Sequence, residues 1–275
     1  VLAMRNAGIY ELNSDFKNVW SENNKFDKGF IFCILHEPGM NGGEITNHYG
    51  PQDHKEVTNR WQYYAVSLEF WRKYSDQDPR KQFFYYNYEG ASPRDENTEN
   101  GFYYMVPNPG QTTPPSDTVK FLKNVATKKY SYEMVSNSYY DGRTIAIFRI
   151  EDVILYKAEI ENELSGPTAA LPYINEIRAR AGAPEYGSGP GFPIPATKEE
   201  MVQKILDERG FELVFEYKRR PDLIRLGKYE SICNAYLTER GLPPIVTSKL
   251  KYLPYPLVDA QLNTNMAAEN LNRLP

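Results

Sequence analysis

The chain has 275 residues, of which 41% are hydrophobic and 25% charged, values that suit one large globular domain or two smaller ones. Its net charge of −4 and its lack of a basic stripe argue against nucleic acid as a partner, because a phosphate-binding surface needs clustered Lys and Arg. The longest apolar run, residues 30–35, is far too short to span a bilayer.

Aromatic residues make up 14% of the chain, with 22 Tyr against 13 Phe and 3 Trp. Tyr joins an apolar ring to a polar hydroxyl, so an excess of Tyr is typical of surfaces that stack on a partner while remaining wet. The alternative is that these residues fill half-buried positions. Both interpretations stay open at this point.

The first ten residues predict the end of a helix that stops near Gly8. Because Val1 falls inside this helical pattern, we expect a longer chain, with any targeting signal or lipid anchor upstream. Residues 29–35 predict a short apolar strand. Cys33 and Cys233 lie far apart in apolar surroundings and predict buried free thiols rather than a disulfide framework.

Residues 50–145 have few long periodic stretches and many Pro, Asn, Asp and Tyr residues. Short helices are predicted at WRKY (71–74) and KFLKN (120–124), and a short strand at QFFYYNY (82–88). A weakly periodic segment of this length is typical of functional loops rather than scaffold.

From about residue 147 the apolar residues recur at helical spacing. A first helix is predicted to end near Gly166, and a second to run from an N-cap at Thr168 to Gly182. A third helix is predicted to begin with a capping box and to run to about Tyr217. The first two helices form an αα-hairpin of the kind that stacks in tetratricopeptide-like folds. The apolar positions are Ile150, Val153, Ile154, Ala158, Ala170, Ile174, Ile177, Ala181, Val202, Ile205, Leu206 and Leu213, and the capping box is Thr197 with Glu200.

Three glutamates, Glu208, Glu212 and Glu216, lie four residues apart on one helix face and are candidates for glycoside hydrolysis. Carboxylates on one short helix point the same way, however, whereas a glycosidase needs them on opposite sides of a bond. We therefore predict that they hold cations in a structural network, the candidates being Arg209, Arg219 and Arg225.

Other catalytic and metal motifs are incomplete. His36-Glu37 resembles the opening of a zinc protease site, but the second His is missing and Pro38 breaks the required helix. Glycines at 187, 189 and 191 have phosphate-loop spacing, yet prolines interrupt them and no helix follows at once. The sequence therefore predicts no enzyme activity, no metal site and no cofactor.

Residues 41–88 combine aromatic side chains with Asn, Gln and Asp. Aromatic faces stack on the C–H patches of sugar rings, while amides and carboxylates bond the hydroxyls, so this mixture indicates a glycan-binding surface. The alternative is that Trp61, Phe70 and Trp71 belong to the core of a short helix. From composition alone, the candidate glycan-binding residues are Asn47, Tyr49, Trp61, Tyr63, Tyr64, Trp71 and Arg80.

The helical part of the sequence resembles the SusD/RagB family. The matching segments are RIEDVILYKAEIENELSG (149–166), ALPYINEIRARAG (170–182), ILDERGFELVFEYKRRPDLIRLGK (205–228) and KYLPYPLVDAQLNTN (251–265). Within them the residues that match the signature are Arg149, Asp152, Ala158, Glu159, Asn175, Arg178, Arg180, Ala181, Gly182, Glu208, Arg209, Glu212, Leu213, Glu216, Arg219, Asp222, Leu223 and Arg225. GIYEL and GFIFCIL match more loosely. The chain departs from the pattern at Arg220-Pro221, where an aromatic is usual, and at the LNRLP ending.

This resemblance implies a mainly α protein of tetratricopeptide-like helix pairs, a SusD-like superhelix with a long loop-rich insertion and short strands. All of residues 1–275 would form the C-terminal portion of such a protein. Residues 1–40 would end an N-terminal helical part, 41–146 would form the variable ligand region, and 147–275 the signature helices, whose motif residues are scaffold.

The resemblance also implies a function. The expected protein is a non-catalytic glycan-binding lipoprotein on the outer-membrane surface, which delivers its ligand to a SusC-like TonB-dependent transporter. Contact with the membrane would be made through an upstream lipid anchor. Two alternatives are binding of a peptide or another nutrient, and a scaffold that docks the transporter without a ligand site in this chain.

Overall fold

The protein is described by a computed structural model that covers residues 2–39, 42–57, 60–130 and 140–273. The chain divides into two compact units, Val1–Glu216 and Tyr217–Pro275. The first unit combines helices with small β-sheets, and the described part of the second is helical.

The centre of the first unit is a three-helix core made of α4 (Ile150–Ser165), α5 (Pro167–Arg180) and α6 (Lys198–Glu212). Apolar residues recur every three or four positions in each helix, so each one buries an apolar face against the others. The buried residues of this core are Ile150, Ile154, Leu155, Ala158, Ala170, Ile174, Ile177, Tyr186, Met201 and Ile205. The three predicted helices are therefore confirmed.

The start of α5 differs from the prediction. The helix begins at Pro167, and Gly166 before it adopts a φ of +88°, so Thr168 makes no capping bond. Proline suits the first helical position because its missing N–H has no helical partner there in any case. The predicted cap at Thr168 was wrong for this reason.

The predicted start of α6 is confirmed, but its end is not. The Thr197 hydroxyl accepts a hydrogen bond from the Glu200 amide at 3.1 Å, and the Glu200 carboxylate accepts one from the Ala196 amide at 2.7 Å. The helix ends at Glu212 rather than near Tyr217. Phe215 and Tyr217 have φ values of +62° and +63°, a left-handed conformation that cannot continue a right-handed helix.

Among the residues that the structure covers, short strands form three small sheets. Strand β1 (Phe30–Ile34) pairs antiparallel with β8 (Ile145–Arg149), which leads directly into α4. A second sheet has the order β2-β7-β3, and in a third β4 pairs antiparallel and β6 parallel with the central β5. The strands of these two sheets are β2 (Val66–Ser67), β3 (Phe84–Tyr85), β4 (Asn87–Glu89), β5 (Tyr103–Met105), β6 (Val119–Phe121) and β7 (Asn124–Thr127).

The strand predicted at residues 29–35 is confirmed as β1, and QFFYYNY forms β3 and β4. The short helix predicted at KFLKN was wrong, because this segment contributes to β6 and β7. In β6, half-buried Val119 and Phe121 flank exposed Lys120, an alternation that fits a strand paired with β5. Pairing with a distant strand overrides the weak local preference for helix.

The described part of the first unit also contains the short α-helices α1 (Leu2–Asn6), α2 (Ile45–Tyr49) and α3 (Leu68–Arg72). The first is followed by Gly8 with a φ of +73°, at the predicted stop. Helix α3 contains the start of the WRKY segment, and the hydroxyl of Ser67 caps it by accepting from the Phe70 amide at 3.1 Å.

The second unit contains α7 (Arg219–Arg225), α8 (Tyr229–Glu239), α9 (Leu257–Leu262) and α10 (Thr264–Arg273). Asparagine side chains secure its loops through paired bonds to the backbone. Asn234 bonds both the carbonyl and the amide of Val246, at 2.8 and 2.9 Å, and Asn270 does the same with Tyr255.

Cys33 and Cys233 are both free, as predicted, although each is half-buried rather than fully buried. Within the ranges that the structure covers, no helix is both long enough and apolar enough to cross a membrane.

Candidate functional site

Helix α2 and the loop 60–64 lie side by side and are joined through their backbones. The Trp61 amide donates to the Asn47 carbonyl at 2.7 Å, and the Tyr64 amide donates to the His48 carbonyl at 3.2 Å. The guanidinium of Arg60 adds a bond to the Asn47 side-chain oxygen at 2.8 Å. These bonds hold a short aromatic loop against a helix whose own side chains are mostly buried.

Five aromatic rings meet where these two segments touch, and we call them the aromatic platform: His48, Tyr49, Trp61, Tyr63 and Tyr64. The His48 ring lies 5.2 Å from Trp61 and 5.4 Å from Tyr63, measured between ring centroids. Trp61 and Tyr63 are 5.4 Å apart, and Tyr49 and Tyr64 are 5.1 Å apart. All of these distances fall in the range of attractive ring contacts.

The platform has an exposed upper layer and a buried base. Tyr63 is 67% exposed and Tyr64 53%, whereas Tyr49 beneath them is 3% exposed and Trp61 is half-buried. Tyr49 belongs to a core cluster with Val19, Trp20, Ile45, Tyr130 and Ala146. The exposed Tyr64 thus contacts a ring that is anchored in the core, and the exposed Tyr63 contacts the half-buried ring of Trp61.

Polar groups surround the platform. The His48 imidazole lies 3.6 Å from the Glu44 carboxylate, and both side chains are one-third exposed. Gln62, between Trp61 and Tyr63, has a φ of +49°, a strained conformation for a residue with a side chain. Its side-chain oxygen accepts from the Gln52 amide at 3.2 Å, a bond that helps to hold this conformation. The aromatic rings of the platform can stack on the apolar face of a ligand ring, and the polar side chains around them can form hydrogen bonds with polar groups at the edge of that ring.

The structure brings five of the seven candidate residues together and places two elsewhere. Asn47 lies at the base of this site, buried and bonded to Arg60, so it supports the loop. Tyr49, Trp61, Tyr63 and Tyr64 are platform residues.

Trp71 lies on α3, half-buried, where its indole N–H donates to the Lys81 carbonyl at 3.2 Å and its ring faces Tyr86 at 5.4 Å. Phe70 and Trp71 pack against a core cluster, in agreement with the core alternative, whereas Trp61 lies in a loop rather than a helix.

Arg80 is 2% exposed and forms part of a buried ionic network. Its guanidinium contacts Asp78 and Glu208, each at 2.8 Å, and Glu212 at 3.1 Å. The guanidinium of Arg80 is therefore already paired with three carboxylates of the protein itself. Arg80 is therefore placed as scaffold and not on the ligand surface.

The three signature glutamates lie at the centre of this network, and the exposure of their side chains is 2% or less. The cations paired with them come from other elements than the sequence suggested: Arg80, Lys129, Arg149, Arg178 and Arg180. Arg209 instead pairs with Asp152 at 2.7 Å, and Arg225 with Asp222 at 2.9 Å. The three glutamates are therefore not accessible to a substrate. The sequence predicted a structural network, but most of the cations in it lie far away in the sequence and could be identified only from the structure.

Charge dominates the environment of Glu212. Burial by itself would raise the pKa of this carboxyl group, but the guanidinium groups of Arg180, Arg149 and Arg80 hold the pKa well below its usual range. Arg149 lies 2.6 Å from one carboxylate oxygen and Arg180 lies 2.5 Å from it. The group is ionised and serves to join strand β8, helix α5 and helix α6.

The remaining signature residues also have structural positions. Arg178 pairs with Glu208 at 2.8 Å, and Asn175 bonds both the amide and the carbonyl of Tyr186 at 2.9 Å. Glu159 is half-buried on α4, and Arg219 begins α7.

The three histidines lie in separate environments. His36 contacts the Arg143 carbonyl at 3.0 Å, His48 belongs to the platform, and His54 stacks on Tyr88 at 5.0 Å. In the described ranges, no group of three or more His, Cys, Asp or Glu residues is arranged to hold a metal ion.

Sequence reasoning missed two residues of the site. His48 contacts three platform rings, and its position between the candidates Asn47 and Tyr49 could have revealed it. Phe215 lies 4.7 Å from Tyr49, but it is far away in the sequence and no local pattern connects the two.

Known proteins resemble this chain at both the sequence and the structural level. The SusD family profile matches residues 35–271. "SusD-like protein P25" from Formosa agariphila is 37% identical over 120 residues, which are 42% of this chain and 22% of that protein. "Starch-binding protein SusD" from Bacteroides thetaiotaomicron is 31% identical over 139 residues, 48% of this chain and 22% of that protein.

Solved structures share the fold at lower identity. A SusD superfamily protein from Parabacteroides distasonis has a TM-score of 0.68 at 18% identity, over 96% of this chain and 54% of that one. Surface glycan-binding protein A from Bacteroides thetaiotaomicron in complex with laminarihexaose has a TM-score of 0.63 at 19% identity, over 96% of this chain and 56% of that one. The chain thus spans about half the length of these structures. Their similarity to it confirms the predicted mainly helical, SusD-like fold. Since the profile covers well over half of its residues, the chain belongs to the SusD family.

Proposed function

We propose that this chain is a non-catalytic carbohydrate-binding protein and that its ligand stacks on the aromatic platform. The observation that carries the proposal is the exposure of two adjacent tyrosines, Tyr63 at 67% and Tyr64 at 53%, which contact the half-buried Trp61 and the buried Tyr49 respectively. Membership of the SusD family supports it, as do relatives whose names describe starch binding and a laminarihexaose complex.

The physical basis is stacking combined with hydrogen bonds at the ring edges. Each tyrosine offers an apolar face to the C–H patch of a sugar and a hydroxyl to its polar rim. The surface is open, so sugar hydroxyls exchange bonds with water for bonds with protein at little net gain. We therefore expect modest affinity, carried by a few rings.

The wider role follows from the family resemblance. We propose that the whole protein lies on the outer-membrane surface, held by a lipid anchor upstream of this chain, and passes its ligand to a SusC-like TonB-dependent transporter. The buried, ion-paired state of Glu208, Glu212 and Glu216 supports a binding role rather than hydrolysis.

The test is a calorimetric screen of the chain against a panel of plant and host polysaccharides, repeated with platform variants. We expect saturable binding to one glycan, and a loss of about 1–3 kcal/mol with Tyr63→Ala or Trp61→Ala, the scale of an aromatic anchor. Tyr103→Ala is the matched control, because Tyr103 is a 44% exposed tyrosine on β5, outside the platform.

Two outcomes would oppose the proposal. Equal losses with Tyr63→Ala and Tyr103→Ala would remove the platform as the site. No binding to any glycan would point to a peptide or another nutrient, or to a scaffold, and retained association with the transporter would then favour the scaffold.

A further inference from the structure

The turn that follows α6 has an unusual backbone. Helix α6 ends at Glu212, and within residues 213–216 Phe215 adopts a φ of +62°. A bulky residue is strained in this left-handed region, because its Cβ atom comes too close to the following carbonyl oxygen. Strain of this kind persists where surrounding contacts over-determine the local structure. We call residues 213–216 the Phe215 turn.

Three side chains from distant elements hold the Phe215 turn in place. The Lys129 ammonium donates to the carbonyls of Glu212 and Val214, at 3.3 and 2.9 Å, and pairs with the Glu216 carboxylate. The Tyr130 hydroxyl donates to the Phe215 carbonyl at 3.1 Å.

Arg149 donates to the Glu212 carbonyl at 2.9 Å and to the Glu216 carboxylate at 2.7 Å. Of the three side chains that hold the turn, Arg149 belongs to the family signature, and so do its partners Glu212 and Glu216.

The ring of Phe215 connects the turn to the platform. Phe215 is half-buried and lies 4.7 Å from Tyr49, at an interplanar angle of 61°. Tyr49 in turn lies 5.1 Å from Tyr64, one of the two exposed tyrosines of the platform. Tyr130, whose hydroxyl donates to the turn, also lies 5.2 Å from Tyr49. The buried Tyr49 ring is therefore in contact both with a ring of the turn, Phe215, and with a residue that holds the turn, Tyr130.

We propose that Phe215 is a positioning residue for the ligand surface: the ionic network holds the Phe215 turn, and the Phe215 ring sets the orientation of Tyr49 and, through it, of Tyr64. The proposal rests on the proposed function in that the affected property is glycan affinity. It gives the buried signature residues Arg149 and Glu216 an indirect role in binding, because the strained turn that they hold carries the ring.

The first test measures affinity and stability together. Phe215→Leu keeps an apolar side chain and removes the ring, and we expect it to weaken binding of the glycan found in the panel by about three- to tenfold. Phe215→Gly relaxes the left-handed residue and also removes the ring, so a similar loss of affinity would assign the effect to the ring.

Phe16→Leu is the matched control. Phe16 is half-buried, and its ring lies 5.5 Å from that of Phe83. Phe16→Leu therefore makes the same substitution at a ring that does not belong to the platform or to the Phe215 turn. We expect it to lower the melting temperature to a similar extent and to leave the dissociation constant unchanged. Equal affinity for Phe215→Leu and Phe16→Leu would overturn the proposal.

A second readout needs no ligand. In protein labelled with 3-fluorotyrosine, the fluorine resonance of Tyr64 is assigned from the Tyr64→Phe variant. Phe215→Leu should shift this resonance, whereas Phe16→Leu should not. An unmoved Tyr64 resonance would refute positioning even if a glycan binds, and a shifted one would support positioning even if no glycan in the panel binds and the proposed function fails.

Discussion

Glu212 shows how much of this fold depends on single buried charges. Its carboxylate has no exposed surface and contacts Arg80, Arg149 and Arg180 within 3.1 Å. If this negative charge were removed, each of the three buried guanidinium groups would lose one of its carboxylate partners. Losing one partner of a buried ion pair is costly because the other charge then remains in a medium of low polarity.

We expect Glu212→Gln to lower the free energy of unfolding by about 3–5 kcal/mol at neutral pH, measured by urea titration. The difference from the wild type should shrink below about pH 4.5, because the depressed pKa of Glu212 keeps it ionised in the folded chain while it takes up a proton in the unfolded chain. Glu161→Gln is the control, since Glu161 pairs with Lys157 on the surface and should change stability by about 1 kcal/mol or less. Equal effects of the two variants would contradict the structural role of Glu212.

At the level of elements, the helix starts differ in how they are capped. Thr197 bonds the Glu200 amide at the start of α6, whereas Thr168 lies exposed in the first turn of α5 after Pro167. We expect Thr197→Ala to destabilise the first unit by about 1 kcal/mol, because an amide loses its acceptor.

Thr168→Ala should be neutral or slightly stabilising, since alanine is the better helix former. Thermal unfolding of both variants distinguishes the two positions. A loss with Thr168→Ala that matched the loss with Thr197→Ala would mean that α5 is capped differently from the structure described.

For the molecule as a whole, a buried lysine should influence the dependence of stability on pH. Burial, with a smaller contribution from the charge of Arg149, lowers the pKa of Lys129 to about 8, against the opposing attraction of Glu216. The unfolded chain therefore holds this proton at higher pH than the folded chain, so the contribution of Lys129 to stability rises as pH increases through this range.

Between about pH 8 and pH 9.5 we expect the wild type to gain about 1–2 kcal/mol relative to Lys129→Met. Burial raises the pKa of Tyr104 to about 12, so this residue titrates above the window. Urea titrations of both proteins across the window measure the difference. Parallel profiles for the two proteins would show that Lys129 keeps its proton throughout.

Local patterns in the sequence were sufficient to locate the helical scaffold. Apolar residues at 3.6-residue spacing located α4, α5 and α6, and the signature residues identified the family, because local periodicity encodes which face of a helix is buried. Composition also indicated the aromatic segment from which the platform is built. Short strands such as β6 were missed, since their formation depends on partners far along the chain.

Which aromatic and charged residues are buried depends on long-range packing and could be read only from the folded chain. Tyr49 and Tyr64 belong to the same Tyr-rich segment, yet one is 3% exposed and the other 53%. Arg80 belongs to that segment too, but it contacts Glu208 and Glu212 of a distant helix. In an irregular segment no repeat specifies an inner and an outer face, so burial is set by long-range packing that a single sequence does not display.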